Sequence, residues 1–369
     1  MSWVLTLLGI VALIMLHEAG HFFVAKAVGM RVERFSLFFP PKLVGFRRGE
    51  TEYMIGAIPA GGFVKITGMS PQELEGLDPE VAAHAYYNQP PWKRIAVILA
   101  GPGVNLLIAF VLFWAILFSG SVDGINTLER LNPSIHTSVP NTQVVALEKH
   151  EPAYRTLRLG DRIVAIDGRH VNESSAVKAI GAHRCVGTPR EGCRAVTPVE
   201  LTVRRAGRTV SLSVYPRYSA ALHRMLIGFD FGATAKRYGP FAAAGTALGE
   251  MWGITAHTLT NIGHAFTSAT VRHEFSSIVG ITVATQEAVT LGAGYALVIL
   301  GFVSLALAIV NLFPFLPLDG GHVLWALAEK VRGRRVSLAA MWRFSSVGIV
   351  LLAFLVINGI SNDIGRLGG

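Results

Sequence analysis

The stretch Trp3–Val28, WVLTLLGIVALIMLHEAGHFFVAKAV, decides how the rest of the chain is read. As a helix it is long enough to cross the hydrocarbon core of a bilayer, which takes ~20 apolar residues. Yet His17, Glu18 and His21 lie inside it as an HExxH motif. Ionisable groups at that depth are costly unless they bind something, so they mark a functional site. Residues four apart share one helix face, and both imidazoles can therefore turn towards one metal ion. Glu18 stands where a base for a water at that ion is needed. Chance supplies about 0.02 such motifs in a chain of this composition, so the match is specific. The rival reading is a polar cluster facing a helix bundle, with no metal. The run reads as a retained span and not as a cleaved leader, since no basic region precedes Trp3 and His-Glu interrupts it.

Working outward, the 369 residues are 51% hydrophobic and only 15% charged, and the mean hydropathy is +0.46. That balance belongs to a polytopic membrane protein. A net charge of +9 invites a nucleic-acid reading. No basic stripe interleaved with aromatics appears, and much of the charge borders apolar spans, which argues against nucleic acid as a partner.

Four spans are expected, near residues 3–28, 95–118, 295–316 and 341–360. The second carries Gly101-Pro102-Gly103 and Asn105, which loosen a helix and allow close packing. The third ends in NLFPFLPLDGGH (311–322), where Pro314 and Pro317 should break the helix. Basic residues crowd the 31–94 segment and the loop between spans three and four, so both read as cytoplasmic. The long 119–294 segment and both termini then lie outside.

The expected organisation is an N-terminal membrane region over 1–118 and an extracytoplasmic insert with its linker over 119–238. A membrane-surface helical region over 239–294 and a C-terminal membrane region over 295–369 follow. Within 31–67 the pattern changes to short extended pieces, among them GETEYMIGAIPAGGFVKI (49–66), expected to form a membrane-associated β-hairpin or sheet. An ordinary cytosolic hairpin is the alternative. Residues 70–91 read as a polar, mobile connection with one short helix. In the insert, LRLGDRIVAIDGRHV (157–171) is a strand, a turn and a second strand start. A short helix follows, then two strands around Ala206-Gly207, making a small α+β domain with its core at about 140–218. Cys185 and Cys193 are the only cysteines, and outside the cytoplasm they would form a disulfide.

A catalytic zinc site takes three protein ligands and keeps one open position. Asp319 in LDGG is the best third ligand, beside the Gly320-Gly321 pair that admits close backbone. It could instead cap a following helix. His322 is a weaker rival for the ligand position.

HEAGH (17–21), GGFVK (61–65), LRLGDRIVAIDG (157–168) and NLFPFLPLDGG (311–321) together resemble the site-2 proteases, more narrowly the RseP-type intramembrane zinc metalloproteases of bacteria. The resemblance covers nearly the whole chain. It implies an inner-membrane location and membrane helices with an inserted, circularly permuted PDZ-like domain; the chain departs from some relatives in having room for only one such domain where they carry two. It implies one zinc ion on His17, His21 and Asp319, with Glu18 as catalytic base. It also implies that Asn311 and Pro314 hold substrate and that the strand at Gly61-Gly62 pairs with it. The expected partners are single-pass membrane proteins, anti-sigma factors first and remnant signal peptides second. Two other classes remain in view: a metal-handling transporter, against which no internal repeat appears, and a silent PDZ scaffold, which has no use for these four residues.

Overall fold

The computed structural model describes residues 2–131, 138–171, 173–220, 222–235, 237–265, 267–272 and 276–367. The elements run α1 (Ser2–Ala27), β1 (Val32–Arg48), β2 (Thr51–Ile66), α2 (Pro79–Ala83), α3 (Pro91–Ser119) and α4 (Val122–Leu131). Next come β3 (Ser138–Leu147), β4 (Arg162–Ile166), β5 (Arg169–His170), α5 (Glu173–Ala182), β6 (Val199–Arg205) and β7 (Arg208–Val214). They are followed by β8 (Arg217–Ser219), β9 (Arg224–Leu226), β10 (Phe229–Ala235), α6 (Pro240–His264) and α7 (Ala269–Arg272). The last are α8 (Ile278–Leu291), α9 (Ala293–Asn311), α10 (Asp319–Arg332) and α11 (Leu338–Leu367). They form two compact units, Met1–Ser134 with Tyr238–Gly369, and Ile135–Arg237.

In the first unit, α1, α3, α9 and most of α11 are long and apolar enough to cross a membrane. The inward face of α1 is a ridge of residues four apart, Leu13, His17, His21 and Ala25, all buried. Leu5, Leu8 and Phe23 on its other faces are more than half exposed, as lipid-facing side chains are. Helix α3 is the hub, packing against α1, α6, α9 and α10. Small residues let the helices approach: a Cβ on Gly20 would lie 2.6 Å from the Ala100 carbonyl oxygen, and one on Gly301 would lie 2.6 Å from the Phe113 ring. The prolines break the third span as expected, so α9 ends at Asn311 and α10 begins at Asp319.

Three expectations for this unit need correction. The extended region is not a set of short pieces but two long, bent strands of 17 and 16 residues. The first part of β1 is flanked by β2 on both sides: Arg34 faces Lys65 and Glu52, and Phe35 faces Val64 and Tyr53. Residues 62–66 therefore form an edge of this sheet among the described residues. Its far end exposes Leu43, Val44, Phe46 and Ile58, an apolar surface unlike that of a water-facing hairpin. Within 70–91 the expected short helix is present as α2, but the end of the segment is packed and not loose. Tyr86 and Tyr87 are buried, and their rings lie against Arg94, which is 3% exposed and paired with Glu329 of α10 at 2.7 Å. Composition read the start of the insert as linker, but α4 packs on α3 and α9.

The second unit is an antiparallel sheet in the order β10-β3-β4-β6-β7, with β5 beside β4 and a separate β8–β9 ribbon. Helix α5 adds Ala176 and Ile180 to a core built on Ile163, Ile166, Leu201 and Val203. The β6–β7 turn falls at Ala206-Gly207, both with positive φ, a primed hairpin turn. The expected core stopped near 218, yet β10 pairs with β3 and extends it to Ala235. Strands so far apart in the chain, one ending at Leu147 and the other starting at Phe229, leave no local pattern that announces their pairing. Cys185 and Cys193 are joined in a disulfide.

Candidate metal centre

Helix α1 delivers His17 and His21 one turn apart, and the broken segment 312–318 delivers Asp319 at the first residue of α10. Asp319 is not the cap of that helix. Leu318 holds the cap position, and the carboxylate turns to the histidines. Gly320 and Gly321 permit the tight chain reversal, since a Cβ on either would strike the backbone of 312–316.

The three candidate ligand atoms converge. Asp319 Oδ2 lies 3.3 Å from His17 Nε2 and 3.3 Å from His21 Nε2, and the two nitrogens are 3.3 Å apart. The centre of that triangle is about 1.9 Å from each corner, close to the ~2.0–2.2 Å at which zinc holds nitrogen and carboxylate oxygen. Two further observations fit a cation. Asp319 Oδ2 is buried and has no polar neighbour of its own beyond these two imidazoles, an expensive state for a carboxylate oxygen unless a cation sits among the three. Gly101 of α3 closes the site from the other side, where a Cβ would collide with His21 Nε2 and come within 2.9 Å of His17 Cε1. Among the described residues this is the group of three that can hold a metal ion. His322 is not in it; its ring lies against Tyr86.

The outer nitrogens of both rings are also engaged. His21 Nδ1–H donates to the Val97 carbonyl at 2.8 Å, which directs the Nε2 lone pair into the site. His17 Nδ1 is 3.0 Å from the side-chain amide of Asn105, a fully buried residue of α3. Glu18 lies against the edge segment of β2. A Cβ on Gly62 would be 2.9 Å from Glu18 Cγ. Gly61 sits beside it at φ +138 under the Phe39 ring. Asn311 closes α9, and Pro314 is exposed in the break before Asp319.

Sequence reasoning singled out the histidines, Glu18 and Asp319 but assigned Gly101 and Asn105 only to helix packing. An asparagine inside a 24-residue apolar run was the available signal.

Comparison with known proteins identifies the family of the chain. The model of "Peptidase family M50" matches residues 5–355. The zinc metalloprotease Rip1 of Mycobacterium tuberculosis is 32% identical over 89% of this chain and 86% of its own. The regulator of sigma-E protease, RseP, of Salmonella typhimurium is 27% identical over 96% of each. A PDZ domain of an SdrC-like protein from Listeria monocytogenes aligns with 26% of this chain and 93% of its own, at 17% identity and a TM-score of 0.20. With its HExxH helix, its LDG segment and its inserted domain, the chain belongs to peptidase family M50, as a site-2-type intramembrane zinc metalloprotease.

Proposed function

We propose that His17, His21 and Asp319 hold one zinc ion per chain and that Glu18 is the catalytic base for peptide-bond hydrolysis within the membrane. The convergence of three ligand atoms at 3.3 Å spacing carries this reading, with Glu18 pressed against a strand edge. Zinc bound there supplies Lewis-acid polarisation of the scissile carbonyl and makes water a better nucleophile at neutral pH. A membrane helix hides its peptide groups in its own hydrogen bonds, so a substrate must unwind before it can react. The edge at residues 62–66 offers backbone groups to the unwound segment, beside Gly61 and Gly62, where no side chain obstructs it. Glu18 takes a proton from the attacking water and returns it to the leaving amine. Asn311 and Pro314 hold the substrate on the other flank.

The substrates are single-pass membrane proteins trimmed by an earlier cut. Anti-sigma factors come first, given the likeness to a regulator of sigma-E protease, and remnant signal peptides come second. The chain lies in the bacterial inner membrane with the PDZ domain and both termini outside, helix α6 along the membrane surface, and the β1–β2 sheet at the cytoplasmic side. Membrane proteomes from cells with the active enzyme and with Glu18→Gln test the function. Truncated single-pass fragments should accumulate with Glu18→Gln; identical proteomes would refute it.

A further inference from the structure

Asn105 is fully buried in the middle of a membrane-spanning helix, and its Oδ1 has no hydrogen bond. Its Nδ2 faces His17 Nδ1 at 3.0 Å. In that orientation the amide donates to a bare Nδ1, so a neutral imidazole carries its proton on Nε2. That nitrogen is the one aimed at Asp319 and His21, and a protonated Nε2 has no lone pair for a metal. A half-turn of the amide exchanges Nδ2 and Oδ1 in nearly the same volume. Oδ1, the atom left without a partner, then meets the Nδ1 proton, and Nε2 is bare.

We propose that Asn105 is a positioning residue for His17, accepting the Nδ1 proton through Oδ1 and so holding the tautomer and ring orientation that metal binding requires. The inference rests on the zinc site proposed above. His21 supplies an internal parallel, because its Nδ1–H donates to a carbonyl oxygen, that of Val97. Each imidazole thus has an acceptor behind it, both supplied by α3, one from the backbone and one from a side chain. Helix α9 secures the asparagine in turn, as Ser304 Oγ–H donates to the Asn105 carbonyl oxygen at 2.9 Å. Buried acceptors of this kind fix ligand geometry and raise ligand basicity.

Two substitutions separate an acceptor role from a donor or a packing role. Asn105→Leu keeps the volume and removes all polarity, while Asn105→Asp keeps an acceptor and removes the donor. Full-length protein in detergent is stripped of metal, and zinc affinity is measured by chelator competition, together with the visible spectrum of the cobalt-loaded form. Asn105→Leu should bind zinc 10–100-fold more weakly, with an altered cobalt spectrum, and Asn105→Asp should stay within about threefold of wild type. Equal affinity for Asn105→Leu and wild type overturns the proposal, as does a loss in Asn105→Asp as large as that in Asn105→Leu. If Asn105→Leu does not fold, Asn105→Asp decides alone, and a loss of tenfold or more refutes the acceptor role. A wild-type chain that binds no zinc would instead refute the metal centre itself.

Discussion

Gly101→Ala tests the metal centre with the smallest possible perturbation, one methyl group. The added carbon would collide with His21 Nε2 and lie 2.6 Å from His21 Cε1 and 2.9 Å from His17 Cε1. Restoring ordinary van der Waals separation requires the His21 ring to retreat by roughly 1 Å, which also breaks its bond to Val97. Zinc affinity should fall at least ~100-fold, or about 2.7 kcal/mol, since even an outer-shell change costs 10–100-fold. The metal-free protein should barely notice. Alanine in a helix interior gains about 1 kcal/mol over glycine, and the lost hydrogen bond costs about the same. Gly103→Ala is the control in the same helix, because a Cβ there meets nothing within 4 Å. Zinc content, chelator competition, thermal unfolding of the stripped protein and cleavage of a single-pass reporter should be compared across the three proteins. The expected pattern is metal and activity lost in Gly101→Ala alone, with the unfolding temperatures of the stripped proteins nearly equal. Full zinc and full cleavage in Gly101→Ala would refute the placement of the site against α3.

Three further outcomes are expected. In the second unit, Asp161 is 2% exposed, and its carboxylate accepts from Arg205 Nε at 2.8 Å and Nη2 at 2.6 Å, which holds its pKa below the usual carboxylate range. Its contribution is full above the unfolded carboxylate pKa of about 3.9 and is lost as pH falls through the lower folded value. Asp161→Asn should destabilise this unit by roughly 3 kcal/mol at neutral pH and reduce its acid sensitivity; denaturant titrations at pH 7 and pH 3 that match wild type would contradict this. Protein recovered from an oxidising compartment should resist alkylation at Cys185 and Cys193 when unfolded without reductant, and cleavage should survive their replacement by serine. Quantitative alkylation before reduction argues against the bridge. Substrates with Gly or Pro near the scissile bond should be cut faster than Leu-rich ones, because each weakens the helix by roughly 1–3 kcal/mol in a soluble reference. Equal rates in a reconstituted assay would remove unwinding from the mechanism.

Much of this protein is legible in the sequence because its strongest signals are local. A bilayer-length apolar run names a span, a histidine pair four apart names one helix face, and prolines after Asn311 name a break. Hydrophobic alternation and the Ala206-Gly207 turn likewise mark the β6–β7 hairpin. What the tertiary structure decided was every relation between segments far apart in the chain. Nothing local says that the edge of β2 rests on Glu18, that β10 returns to β3, or that Arg94 reaches Glu329. Gly101 and Asn105 show the limit most clearly. In the sequence they are a small and a polar residue in a span, with many possible uses. Only when α3 is laid against α1 does the missing side chain of one leave room beside the His17 and His21 rings and the amide of the other reach His17. The physical reason is that local patterns record which face of an element is buried, whereas the chemistry of this site depends on which atoms meet across faces.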